Sequence, residues 1–148
     1  MNRRALVLGM SVLIVAMAAG CANTARFVFR ADPGINAGLL VPVDVNATTQ
    51  AKAKELLKIG PDDWFTSDTR GSMSDAEIRH LALKPGEVRL IKFTGPKDAD
   101  TFIVFADLKG VKDAQAESIV FNPTVGHRTL SIQIQGKTLV VLDPTKGK

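Results

Sequence analysis

Two histidines, one cysteine and a few paired carboxylates are the side chains that could do chemistry in this chain. His80 and His127 have no carboxylate, cysteine or second histidine at metal-ligand spacing, so a zinc site has no support and no metal is expected. The spacing predicts a helix over Ser74–Leu83, which would put His80 on a helix face. His127 follows the loop Asn122–Gly126 and could act as a base only with a serine brought in by the fold. No Gly-x-Ser-x-Gly elbow accompanies it. Asp62 and Asp63 sit where a helix would start, favourably for the helix dipole. Asp98-Ala99-Asp100 lacks the downstream glycine and glutamate of a calcium loop. There is no phosphate-binding glycine loop. The chain has no tyrosine and one tryptophan, which removes the usual aromatic platform for sugars or single strands. No enzyme and no cofactor are expected from such a set.

Cys21 is different, because of what precedes it. Arg3 and Arg4 open the chain without an acidic neighbour, and Ala5–Ala19 follow without a charge. As a helix that run would be about 22 Å long, short of the roughly 30 Å hydrocarbon core, and it reads as a signal peptide rather than a membrane span. Its ending, Ala18-Ala19-Gly20-Cys21, resembles the lipobox of bacterial lipoproteins. The resemblance implies cleavage between Gly20 and Cys21, with diacylglycerol and an N-acyl chain on Cys21. Residues 1–20 would then be removed and residues 21–148 would form one domain. Loss of Arg3 and Arg4 lowers the formal net charge from +4 to +2, so the basic balance is no argument for nucleic acid. With Ala22 after the cysteine, the outer membrane is the expected location, the domain facing the periplasm.

These groups need elements to hold them, and alternation dominates the remaining chain. Ala25, Phe27, Phe29 and Ala31 alternate with Arg26, Val28 and Arg30, which predicts a strand with one buried face. Asp32-Pro33-Gly34-Ile35-Asn36-Ala37-Gly38 breaks the pattern as a loop, with Ile35 at its tip. Leu39–Ala47 resumes it, with Val41, Val43 and Val45 on one face; Pro42 predicts an edge or a bulge there. Residues of about 49–83 read as a helical insertion: Gln50–Ile59 with Ala53, Leu56 and Leu57 inward, then a short helix from Asp62, then Ser74–Leu83 behind a Ser74-x-x-Glu77 capping box. Trp64 and Phe65 are its expected anchors on the main core. After Pro85-Gly86 the chain returns to strands at Glu87–Thr94, Asp100–Asp107, Ser118–Phe121 and Arg128–Gln135, the last closing a hairpin with Thr138–Leu142. Thr101–Ala106 is apolar on both faces and should be a central strand. Seven or so short strands with one helical interruption predict a mainly β protein, an antiparallel β-sandwich.

The order of these pieces resembles the outer-membrane lipoproteins of type VI secretion, the TssJ family. The lipobox at Cys21 fits, as do the strand Arg26–Ala31, the loop Ile35-Asn36-Ala37-Gly38 and the valine strand Leu40-Val41-Pro42-Val43-Asp44-Val45. Leu83-Lys84-Pro85-Gly86-Glu87 looks like the family's Leu-x-Pro-Gly-Glu turn, and Thr101–Asp107 resembles its central hydrophobic strand. Asp44-Val45-Asn46-Ala47-Thr48 stands where the family usually has Arg-x-Tyr-Gln-Leu, so the chain resembles a divergent member. The resemblance implies a transthyretin-like sandwich without catalytic activity. It implies a lipid-anchored protein that binds the periplasmic domain of a TssM-like inner-membrane partner through the loop Asp32–Gly38. The alternative is a periplasmic ligand-binding or chaperone-like lipoprotein, with a groove lined by the phenylalanines.

Overall fold

The computed structural model describes residues 23–108 and 117–142. Within these residues, eight strands form two four-stranded sheets. They are β1 (Thr24–Ala31), β2 (Val41–Thr48), β3 (Ile78–Leu83), β4 (Val88–Thr94), β5 (Thr101–Ala106), β6 (Glu117–Phe121), β7 (Thr129–Gln135) and β8 (Thr138–Leu142). One sheet has the order β4-β1-β7-β8, the other β3-β2-β5-β6. All pairs are antiparallel except β1 and β7, which run side by side in the same direction with Phe27 opposite Leu130. The expected antiparallel β-sandwich is thus borne out, with one parallel pair inside it. A parallel pair cannot be closed by a hairpin, and here nearly a hundred intervening residues make the crossover.

The inner face of each sheet follows from the period of two. Ala25, Phe27, Phe29 and Ala31 of β1 meet Val41, Val43, Val45 and Ala47 of β2, with Phe93, Phe102, Ile132 and Ile134 completing the core. Phe27 and Phe29 lie near-parallel at 6.1 Å, and the other rings pack tilted or edge to face: Phe27 lies 5.6 Å from Phe102 and 6.1 Å from Phe121, and Phe93 5.9 Å from Phe102. Such geometry sets the positive ring edge against the negative ring face. At Gly95 a Cβ would sit 2.2 Å from the Ala47 Cβ, so only glycine lets that turn approach β2.

Three helices lie on the other side of the second sheet: α1 (Gln50–Ile59), α2 (Pro61–Trp64) and α3 (Asp68–Ser72). Thr49 caps α1 by accepting from the Lys52 N–H at 3.3 Å, and Gly60, at φ 79°, ends it. Pro61 opens α2, where its missing N–H costs nothing. Ser67 caps α3. A second core forms beneath them from Ala53, Leu56, Trp64, Ile78, Ile103 and Phe105. Trp64 stacks on Phe105 at 4.4 Å and 10°. Trp64 and Phe65 thus anchor the insertion on this second core, not on the main one between the sheets.

Two further expectations change. Ile78–Leu83 is strand β3, not helix, so the helices end at Ser72 and His80 lies on a strand. The Ser74–Glu77 pairing does form, but it closes a turn: Glu77 accepts from the Ser74 N–H and hydroxyl, and the Ser74 carbonyl accepts from the N–H groups of Glu77 and Ile78. Pairing with β2 lets the next residues bury Leu83 in one core and Ile78 in the other, which a helix stripe could not do. Pro42 is also not at an edge, because β2 lies between β3 and β5. The β5 ladder begins at Val43, so nothing on that side requires the missing N–H, and the Pro42 carbonyl accepts from Asp107 at 2.9 Å.

Candidate docking loop

The loop after β1 is built from the inside. Asp32 continues the strand through its N–H to the Ile134 carbonyl at 3.0 Å, while its carboxylate accepts from the Gln133 side chain. Its carbonyl accepts from Ile35 at 3.1 Å and from Gly86 at 3.3 Å, tying the loop to itself and to the Pro85-Gly86 turn. Ile35 is not an exposed tip: it is 1% exposed and belongs to the main core. The apolar residue that looked available for docking is instead the plug that fixes the loop.

A 3-10 turn, Ile35–Gly38, follows. Asn36 (φ 54°, ψ 36°) and Ala37 (φ 52°, ψ 34°) are left-handed, a conformation that costs an L-residue about 1–2 kcal/mol. Asn36 offsets part of this with a 2.7 Å bond from its side-chain amide to the Leu40 carbonyl; its amide oxygen is buried without a partner. Backbone strain of this kind persists only where surrounding contacts enforce it. The loop is therefore held in one shape before anything binds.

What it presents is Pro33, Gly34, Ala37 and Gly38, and then two adjacent leucines. Leu39 is 60% exposed and Leu40 50%. Sequence reasoning assigned both to the following strand. The available signal was their adjacency: neighbouring residues of a strand point to opposite faces, so one inner face cannot bury both.

The loop also occupies a definite place. β1 runs from Thr24 to Ala31, about 23 Å at 3.3 Å per residue. The loop leaves from its far end, and the chain toward Cys21 leaves from its near end. Gly20 and Cys21, the residues of predicted cleavage and lipidation, lie outside the described residues.

His127 is exposed in the turn Thr124–His127, closed by a pair of backbone bonds of 3.0 and 3.1 Å. His80 turns out to have a carboxylate that its sequence neighbourhood concealed. Its Nδ1 lies 2.7 Å from Asp44 Oδ1. The same carboxylate, 1% exposed, accepts from Trp64 Nε1 at 2.8 Å and from Arg70 Nε at 2.6 Å. Asp44 sits on β2, His80 on β3, Trp64 on α2 and Arg70 on α3, so one carboxylate cross-links the helices to the sheet. The phenylalanines that the alternative reading would line a groove with are mostly core residues: Phe27, Phe29, Phe93, Phe102 and Phe105 are all buried.

Among the described residues there is no helix long and apolar enough to cross a membrane, and no cluster of three metal-ligating side chains. No family model and no curated protein matches the chain. Solved structures do. The fold is shared with lipoprotein and membrane components of the type VI secretion apparatus. The type VI secretion lipoprotein TssJ1 from Pseudomonas aeruginosa superimposes with a TM-score of 0.57 at 15% identity, over 81% of this chain and 95% of that one. Serratia marcescens Lip, a membrane-bound component of the type VI secretion system, gives 0.59 at 15% identity over 82% and 98%. A chain of the structure named for the TssM C-terminal domain from EAEC gives 0.55 at 19% identity over 81% and 98%. The chain thus has the TssJ fold that its sequence resemblance implied.

Proposed function

We propose that this protein is a lipid-anchored docking component of a type VI secretion membrane complex, held at the outer membrane through Cys21. It binds the periplasmic domain of a TssM-like inner-membrane protein and carries out no catalysis. The observation that carries this reading is the rigid loop at the far end of β1, with Leu39 and Leu40 exposed beside it. The shared fold supports it, as does the name of the structure that contributes one of the matching chains. A preformed apolar projection binds without an ordering cost, and a few buried apolar anchors usually dominate such interfaces.

Titration calorimetry of the domain against the TssM-like periplasmic domain of its own organism tests the proposal. The wild type should bind, and L39D/L40D should weaken binding at least tenfold, roughly the loss of one interface anchor. The melting temperature should stay within about 2 °C, since both side chains are exposed. Unchanged affinity in that variant would remove the loop from the interface, and absence of binding by the wild type would remove the partner.

A further inference from the structure

The helices cover the sheet β3-β2-β5-β6; the outer face of β4-β1-β7-β8 carries a cavity of about 370 Å³ at the Thr24 end. It is lined by Thr24, Ala25, Arg26, Lys92, Arg128 and Thr129. The strand register explains why they meet. Arg26 stands opposite Lys92 on β4 and opposite Thr129 on β7, so those three side chains rise from one row across the sheet. Arg128 is joined to the row through its carbonyl, which accepts from the Arg26 N–H at 2.8 Å.

Among the described residues, none of these three cations forms an ion pair, whereas Lys52 at the same end is taken by Glu77. Three unpaired cations around one concavity repel one another and focus a positive field into it, and an anion relieves both effects. The Thr129 hydroxyl adds a neutral donor suited to phosphate oxygens, and the Thr24 hydroxyl adds a second when Thr94 donates in the 3.0 Å bond between them.

Chain length says which anion is within reach. Thr24 lines the cavity, and Cys21 lies three residues earlier. Three extended residues span at most about 11 Å. If acyl chains on Cys21 enter a bilayer, the cavity must stand at the level of its headgroups, about one Debye length from the surface. We propose that the cavity takes the phosphate of an anionic phospholipid in the membrane that holds the anchor. This rests on the lipoprotein reading of Cys21. Acyl chains alone leave the domain free to swivel; a headgroup held beside Thr24 sets β1 upright and turns the Leu39–Leu40 end away from the membrane.

Both cores draw on residues between 25 and 139, so the chain from Ala22 onward can be tested without acylation. Its co-sedimentation is measured with phosphatidylcholine vesicles, with and without phosphatidylglycerol. Binding should require phosphatidylglycerol, and R26Q/K92Q/R128Q should weaken it on the order of a hundredfold, about fivefold for each cation at an anionic surface. R30Q/K84Q/K137Q removes the same charge toward the opposite end and should change binding by no more than about threefold. K92Q alone, at an exposed position, should cost about fivefold and serves if the triple variant fails to fold. Equal losses in both triple variants, indifference to phosphatidylglycerol, or complete competition by inorganic phosphate would each overturn the lipid assignment. Palmitate labelling of the full chain reads acylation of Cys21 separately. An unlabelled chain whose purified domain still binds these vesicles would refute the anchor and leave the cavity standing.

Discussion

The two cores of this protein share β2 and β5 yet are built on different terms. Between the sheets, the inward residues of the described strands β1, β2, β5 and β7 are apolar, and shape decides their fit. Beneath the helices, Trp64, Ile103 and Phe105 surround a carboxylate at 1% exposure, flanked on the same strand by buried Asn46. The reason lies in what each core must hold. Two sheets have backbone ladders to fix their register, whereas three short helices totalling few turns have none. Directional bonds from Trp64, Arg70 and His80 to Asp44 supply the register that apolar contact would leave loose.

The largest effect should come from breaking the apolar core. Phe102→Ala removes a ring that packs against both Phe27 and Phe93, and should cost about 4 kcal/mol in chemical denaturation with the slope unchanged. Asp44→Ala should come next at about 3 kcal/mol, because it strands the Arg70 guanidinium and the buried Trp64 N–H. Asp44→Leu sharpens the comparison. If the carboxylate serves register rather than stability, the leucine variant should regain part of that loss, yet hydrogen exchange in 61–72 should be faster than in the wild type. Exchange as slow as in the wild type would show that apolar packing alone positions these helices.

A smaller effect distinguishes the surface of the insertion from its interior. The Lys52 ammonium, with the Ser74 N–H and hydroxyl, lowers the Glu77 carboxyl to about 2. A carboxyl held below its unfolded value of 4.5 stabilises the fold fully above that value, and loses the contribution as pH falls from 4.5 toward 2. Glu77→Gln should therefore cost about 1 kcal/mol at neutral pH, after allowance for solvent screening, and the difference from wild type should vanish near pH 2. Thermal melts of the two proteins across that range check the sign. The smallest effect belongs to the loop: Ala37→Gly removes a left-handed Cβ and should raise stability by about 0.5 kcal/mol. A loss in that variant would mean that the Ala37 side chain makes contacts worth more than its strain.

The apolar core was readable from the sequence because its rule is a period of two. Phe27, Phe29, Val43, Val45, Ile132 and Ile134 all fall where alternation puts them. Helix α1 was readable to the residue from its run of helix formers, Gln50–Ile59, and its stop at Gly60; the cap at Thr49 was not. Asp44 was not. Its donors come from residues 20, 26 and 36 positions away, and no local pattern relates a strand aspartate to a tryptophan on another element. The segment 78–83 misled because Ile78, Leu81 and Leu83 suit a helix face as well as two faces of a strand, and only its pairing with β2 decides. In the loop, Pro33, Gly34 and Gly38 announced a break in the strand, but burial of Ile35 depends on a cavity made by other strands. The cationic row escaped notice for the same reason: Arg26, Lys92 and Arg128 become neighbours only through the register of three strands.

The place of β1 between β4 and β7 has a consequence for force. A pull applied between residue 23 and the loop at 32–40 is directed along β1, parallel to the strand and perpendicular to its lateral hydrogen bonds. Both ends of that pull lie on one continuous strand, so the covalent backbone of β1 carries it, and the lateral bonds to β4 and β7 only hold the strand straight. The strand that connects the two ends of the molecule is thus a covalent tie between them, and tension passing through it leaves the helices on the other sheet unloaded.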